Sequence, residues 1–243
     1  MKLGFLVLAA GAMLSAVTAN AAPFTFAQFE QKSTADTIRV TNGTGSTGSF
    51  QTIGAPLVNF SFLLPGLQEA GLGMQDAIMN VSGNITTPAN IMNIPGPKPI
   101  FQLIDSGTIS FTRTTPAPKG PGNGTGTNLL TISFTNAMLT GTQNGTSGSL
   151  LASTPDSVMT FTSDFMSFDH AIALDFAIAL TSISGGGLNR TSTLDSLRAF
   201  TADSTGSFSS DPAPISTVPE PAALGLIGLG LAAVGLRRRR KAA

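Results

Sequence analysis

Asp164, Asp169 and Asp175, with His170 beside them, stand close together in the chain and form its densest acidic cluster. Two kinds of chemistry could be built from them: a calcium site of carboxylate oxygens, or a pair of catalytic carboxylates. The spacing matches no calcium loop, because the alternating Asp/Asn ligands, the mid-loop glycine and the closing glutamate are all missing. The expectation is therefore solvated loop carboxylates beside a surface histidine. No metal and no cofactor are assigned, and Asp164, Asp169 and Asp175 are the residues that would hold a cation were one bound. Any catalytic triad would have to use His170, the only imidazole, and neither GxSxG nor HExxH occurs. The absence of cysteine excludes disulfides, thiol nucleophiles and sulfur-ligated zinc. Gly185-Gly186-Gly187 lacks the GxGxxG spacing, the following helix pattern and the lysine of a phosphate cradle, and reads as a turn. No catalytic residue is expected.

The elements around these residues read as strands. Val58, Phe60, Phe62 and Leu64 share one face of a run, with Asn59 and Ser61 on the other. Ile109 and Phe111 alternate with Thr108, Ser110 and Thr112, and Leu130, Ile132 and Phe134 alternate with Thr131, Ser133 and Thr135. Thr-Ile-Ser-Phe-Thr thus occurs at 108–112 and again at 131–135. In 171–180, Ile172, Leu174, Phe176, Ile178 and Leu180 hold alternate positions. Their two-residue period predicts a strand under another layer, although the Ala and Leu content would also suit a helix. Between the runs lie Gly- and Asn-rich turn segments at 41–48, 120–126, 141–148 and 185–187, with Asn42-Gly43, Asn123-Gly124 and Asn144-Gly145 as turn signals. Residues 94–100 (IPGPKPI) predict a polyproline-like connector. Together these features predict an all-β fold, an antiparallel β-sandwich over 22–201 whose core rests on phenylalanine. Residues 202–218, with Pro212 and Pro214 among Ser and Thr, read as a linker.

Of the 243 residues, 13 are Lys or Arg and 13 Asp or Glu, but the charge is segregated. Residues 22–218 hold seven cations against twelve anions, a net of −5. A mildly acidic domain is a poor ligand for polyanions, so nucleic acid is excluded as a partner. Seven Asn-x-Ser/Thr sequons, at Asn42, Asn59, Asn80, Asn84, Asn123, Asn144 and Asn189, are what a Ser/Thr-rich chain produces by chance.

The two ends carry an address. Lys2 precedes an apolar stretch from Leu3 to Val17, and Ala19-Asn20-Ala21 then supplies small residues where signal peptidase requires them. Residues 1–21 are expected to be a secretory signal cleaved after Ala21. At the other end Pro219-Glu220-Pro221 is followed by fifteen uncharged residues from Ala222 to Leu236 and by Arg237, Arg238, Arg239, Arg240 and Lys241. Fifteen helical residues reach about 22 Å, short of the ~30 Å hydrocarbon core. Snorkelling arginines lengthen the reach, and five cations resist translocation, so a stop-transfer transmembrane helix is expected. Both prolines hold φ near −65° and push the residue before them out of helix, which presents an extended acidic tripeptide at the membrane surface.

A Pro-Glu-Pro tripeptide, a short Gly/Ala/Leu span and a terminal arginine cluster resemble the PEP-CTERM sorting signal of Gram-negative bacteria, over residues 217–241. The resemblance implies processing near Pro219, Glu220 and Pro221 by an exosortase, a membrane-embedded cysteine-dependent protease or transpeptidase. It also implies export by bacteria that make exopolysaccharide and assemble biofilm. Signal peptidase, exosortase, the membrane and exopolysaccharide are the partners this reading names. The expected function is that of an exported, non-enzymatic surface or extracellular-matrix protein. A carbohydrate-binding sandwich is the alternative; without Trp or Tyr it would need an exposed coplanar row of Phe. A secreted hydrolase would need a cleft with two carboxylates about 5 to 10 Å apart.

Overall fold

Alternate side chains are buried along almost every extended run, which is the signature of a sheet with one face turned to a core. The computed structural model describes residues 23–43, 45–119, 124–191 and 195–218. The signal segment with Ala19 and Ala21 lies outside the described residues. So do the sorting motif Pro219, Glu220 and Pro221, the span Ala222 to Leu236 and the basic run Arg237 to Lys241.

The strands are β1 (Phe24–Gln31), β2 (Ile38–Asn42), β3 (Gly48–Thr52), β4 (Leu57–Phe62), β5 (Met74–Ile85), β6 (Asn90–Ile91) and β7 (Pro99–Pro118). They continue with β8 (Thr125–Thr142), β9 (Gly148–Ser153), β10 (Met159–Thr162), β11 (Met166–Ser167), β12 (Ala173–Thr181), β13 (Phe200–Asp211) and β14 (Ile215–Ser216). One short helix, Pro65–Leu67, runs into a wider turn at Gln68–Leu72. Twelve strands form one antiparallel sheet, and β11 pairs with β14 in a separate ribbon.

Several strands are pieces of longer ones. β1 and β2 lie end to end along β13, β3 and β4 along β5, β5 and β6 along β7, and β9 and β10 along β8. Joining the pieces leaves eight staves, each paired with the next in chain order, and the last, β13, pairs back onto β1. The all-β antiparallel class is therefore as the alternation predicts, but the two separate sheets of a sandwich are not. The pairings describe one up-and-down sheet closed on itself, with no free edge at the seam. Periodicity reports that one face of each strand is buried. It carries no information on whether those faces meet across two sheets or around a ring.

Phenylalanine fills the interior. Phe29, Phe60, Phe111 and Phe208 come from β1, β4, β7 and β13 and are buried, with ring centroids 4.9 to 6.3 Å apart. Phe111 and Phe208 sit on opposite sides of the ring yet lie 5.5 Å apart, so side chains occupy the space a lumen would need. The outward faces carry Ser, Thr, Asn and Asp, as in β5, where Asp76, Asn80, Ser82 and Asn84 are exposed.

The two Thr-Ile-Ser-Phe-Thr segments are hairpin partners, with Ile109 opposite Ile132 and Phe111 opposite Leu130. Within 171–180 the strand that the period predicts runs from Ala173, and Phe176, Ile178 and Leu180 point inward. Ile172 does not join them: it precedes the strand and is 81% exposed. The 94–100 connector ends earlier than expected, because β7 takes up Pro99 and Ile100 against β8 and β6.

The largest correction concerns residues 202–218. They are not a linker. β13 pairs along both edges, and Ala202, Ser204, Phe208 and Ser210 are buried. Its small residues make room for neighbours: a Cβ at Gly206 would stand 2.5 Å from the Phe29 ring and 2.8 Å from the Ala177 carbonyl oxygen. The alternation Ala-x-Ser-x-Gly-x-Phe-x-Ser was present in the sequence, hidden by a composition that usually marks linkers.

Candidate functional site

The end of the barrel where β13 finishes is the end from which the C-terminal segment leaves. After β13 the chain turns and lays β14 against β11, Ser216 opposite Met166 and Ile215 opposite Ser167. The Thr217 N–H then donates to the Phe165 carbonyl at 2.9 Å. Ser216 Oγ donates to the Val218 carbonyl at 3.0 Å, and the Val218 side chain packs on the core. The body therefore holds the chain up to the residue before Pro219.

The 163–172 segment that receives this tail is itself clamped. The backbone N–H groups of Thr127 and Asn128 both donate to Asp164 Oδ2 at 2.9 Å, and the Asp164 N–H donates to the Asn128 carbonyl at 2.9 Å. Lys119 Nζ lies 3.7 Å from Asp164 Oδ1. Gly126 gives the carboxylate access, since a Cβ there would stand 2.5 Å from Asp164 Oδ2. Asp164 thus ties the start of β8 to the tail-binding segment. Its short polar side chain accepts two adjacent amides, an arrangement that depends on a residue 36 positions away and has no local sequence signal.

The structure separates the other candidate acids. Asp169 accepts from Ser167 Oγ at 2.7 Å on the rim of a cleft of about 500 Å³, beside exposed His170. That cleft is lined by Met159, Phe161, Met166, Phe168 and Leu174, with Asp169 its one carboxylate. Phe161 and Phe168 meet at 87°, ring centroids 5.5 Å apart, so they form a corner and not the flat row that sugar stacking uses. Asp175 faces outward from β12 in a different groove, with Leu151, Ser153, Ser207 and Ser209. Among the described residues no three His, Asp or Glu side chains converge on a point that a cation could occupy. Gly185, Gly186 and Gly187 have φ of 70°, 88° and 81°, the left-handed values of a turn.

Sequence reasoning missed the apolar surface at the tail-bearing end. Phe24 opposes Ser210, and the Ile172 N–H donates to the Asp211 carbonyl at 2.7 Å, so both flank the end of β13 from opposite edges. Ile215 follows four residues after Asp211. Ile172 had a signal, its place in an alternating row, but that signal pointed inward.

Comparison with known protein families places the PEP-CTERM protein-sorting motif at residues 217–240. The chain carries the C-terminal signal of exported proteins that are processed by an exosortase and sorted to the cell surface. Comparison with curated proteins and with solved structures gave no match. The matched segment begins at Thr217, which the barrel still holds, and continues beyond the described residues. Among the described residues no helix is long and apolar enough to cross a membrane.

Proposed function

We propose that this chain is an exported, non-enzymatic surface or extracellular-matrix protein of a Gram-negative bacterium. Its barrel is held at the inner membrane by the Ala222–Leu236 span until an exosortase acts at Pro219-Glu220-Pro221. Signal peptidase removes residues 1–21, and the released barrel joins an exopolysaccharide-rich or biofilm matrix. The observation that carries this reading is the sorting motif matched at 217–240. The body supports it as a cargo: a closed sheet with a phenylalanine interior needs no disulfide to persist outside the cell.

The described tail constrains the processing step. Four Cα steps separate Val218 from Ala222, at most about 14 Å of extended chain. Glu220 is therefore presented between a folded body and the bilayer, and the two prolines keep it extended for a protease groove.

An epitope inserted in the turn at 43–47, at the opposite end of the barrel, tests the proposal without touching the tail. Mass and cell fraction are compared in hosts with and without exosortase. The expected result is a shortened, membrane-released product only where exosortase is present, and its loss in Glu220→Ala. Full-length protein in both hosts would overturn it.

A further inference from the structure

We propose that the tail-bearing end of the barrel is a membrane-contact face, which seats Phe24, Ile172 and Ile215 in the lipid interface while the chain is anchored. The inference rests on the reading of Ala222–Leu236 as a bilayer span. Single exposed apolar residues are ordinary on a protein surface. Here three collect at one end: Ile172 is 81% exposed, Ile215 54% and Phe24 39%. Phe24 and Ile172 border the last residues of β13, and Ile215 sits on the β14 ribbon that leads into the tail.

Tether length makes lipid the occupant. Val218, the last described residue, is held by the body and lies four Cα steps from the start of the span, about 14 Å at full extension. The ~30 Å core and ~40–45 Å total thickness leave a headgroup region about 5–8 Å deep on one side, so even at full extension of the tether the body stands within about 6–9 Å of the headgroup surface. A free linker over 202–218 would have let the body drift away from the surface. The docking of those residues as β13 and β14 removes that freedom. With so short a tether the local concentration of lipid is high, and a small apolar patch suffices to hold an orientation.

Charge at this end decides the kind of contact. Asp169 and Asp211 stand beside the patch, and Asp164 is already engaged by Lys119. A face with net negative groups gains nothing from anionic lipid, so the contact is apolar insertion. It should persist in zwitterionic bilayers and at raised salt, unlike a polybasic contact.

The chain contains no cysteine, so single thiols can be placed at will. Ile172→Cys, Ile215→Cys, Met92→Cys and Gly228→Cys are made in the full chain, labelled with an environment-sensitive fluorophore and reconstituted in phosphatidylcholine vesicles. Each is read against identical vesicles containing a lipid-borne quencher, so only proximity to lipid is measured. Met92 is an exposed apolar residue at the opposite end of the barrel, next to β6, and Gly228 lies within the span. The expected result is strong quenching at 228 and quenching at 172 and 215 several-fold above that at 92, unchanged by salt. Quenching at 228 with 172 and 215 no different from 92 would overturn the membrane-contact face while leaving the anchor intact. No quenching at 228 would overturn the anchor reading, and this inference with it.

Discussion

The two ends of the barrel close the same core by different means. At the far end residues 183–189, which follow β12, fold over the 142–148 turn. Leu188 is fully buried there, and Gly141 and Gly148 stay bare so that it fits: a Cβ at Gly148 would stand 2.9 Å from its Cδ1. Backbone bonds from Asn144 N–H to the Leu188 carbonyl and from Leu188 N–H to the Gly145 carbonyl pin it. At the near end the closure is shared between Phe26, Phe161, Phe165 and Phe168 and a polar clamp, Asp164, with the outgoing chain itself as the last layer. The far end is a self-contained lid. The near end is finished only when the segment leading to the sorting motif is in place. A protein processed at its sorting motif needs a body that folds upstream of it, and the described fold runs through Val218, the residue before Pro219.

The comparison can be broken most sharply by truncation. Ending the chain at Val218 should leave a cooperative, protease-resistant barrel, while ending it at Thr201 removes all but two residues of β13 together with β14 and should abolish the folded state. Thermal melts and limited proteolysis of the two fragments read the difference. Equal behaviour would show that residues 202–218 are dispensable after all. Next in size, Leu188→Ala empties the far-end lid and should cost about 2–5 kcal/mol by chemical denaturation. Asp164→Ala leaves two amides without their acceptor and should cost about 1–3 kcal/mol. It should also raise amide exchange at Thr127, Asn128 and Thr217 while leaving Asn144 and Leu188 protected; a uniform rise would deny that the ends are separate units. The smallest effect belongs to Arg190, whose pairing with Asp195 at 3.5 Å is exposed to solvent. Arg190→Gln should stay within about 0.5 kcal/mol of the parent, since exposed ion pairs contribute little.

Much of the strand content was legible because amphipathic alternation is a local property. Val58 to Phe62, Ile109 to Phe111 and Leu130 to Phe134 each announce an inward face, and each is strand. Asn144-Gly145 announces a turn, and Asn144 has φ 61°. Legibility failed where small or polar residues do a core residue's work. Ser204 is buried because Thr37 bonds its hydroxyl at 2.8 Å, and Gly206 is bare because Phe29 needs the space. Neither partner is near in sequence, so composition led to a linker where the barrel has its closing stave. For the candidate acids the same limit holds in reverse. The sequence predicted solvated loop carboxylates for all three and gave no sign of their separate surroundings, in which Asp164, Asp169 and Asp175 turn toward a strand start, a cleft rim and an outer groove.

The chain's sorting signal was written in the sequence alone, since a proline-bracketed acid, an apolar run and a basic end form a local pattern that needs no fold to be recognised. That the middle is built of antiparallel strands followed from periodicity for the same reason. Only the tertiary structure decided that those strands close into a ring, that the ring uses residues up to 211 as its last stave and that the chain stays docked through Val218. Those outcomes depend on hydrogen bonds and packing between residues such as Phe24 and Ser210, far apart in the chain and brought together only when the sheet closes.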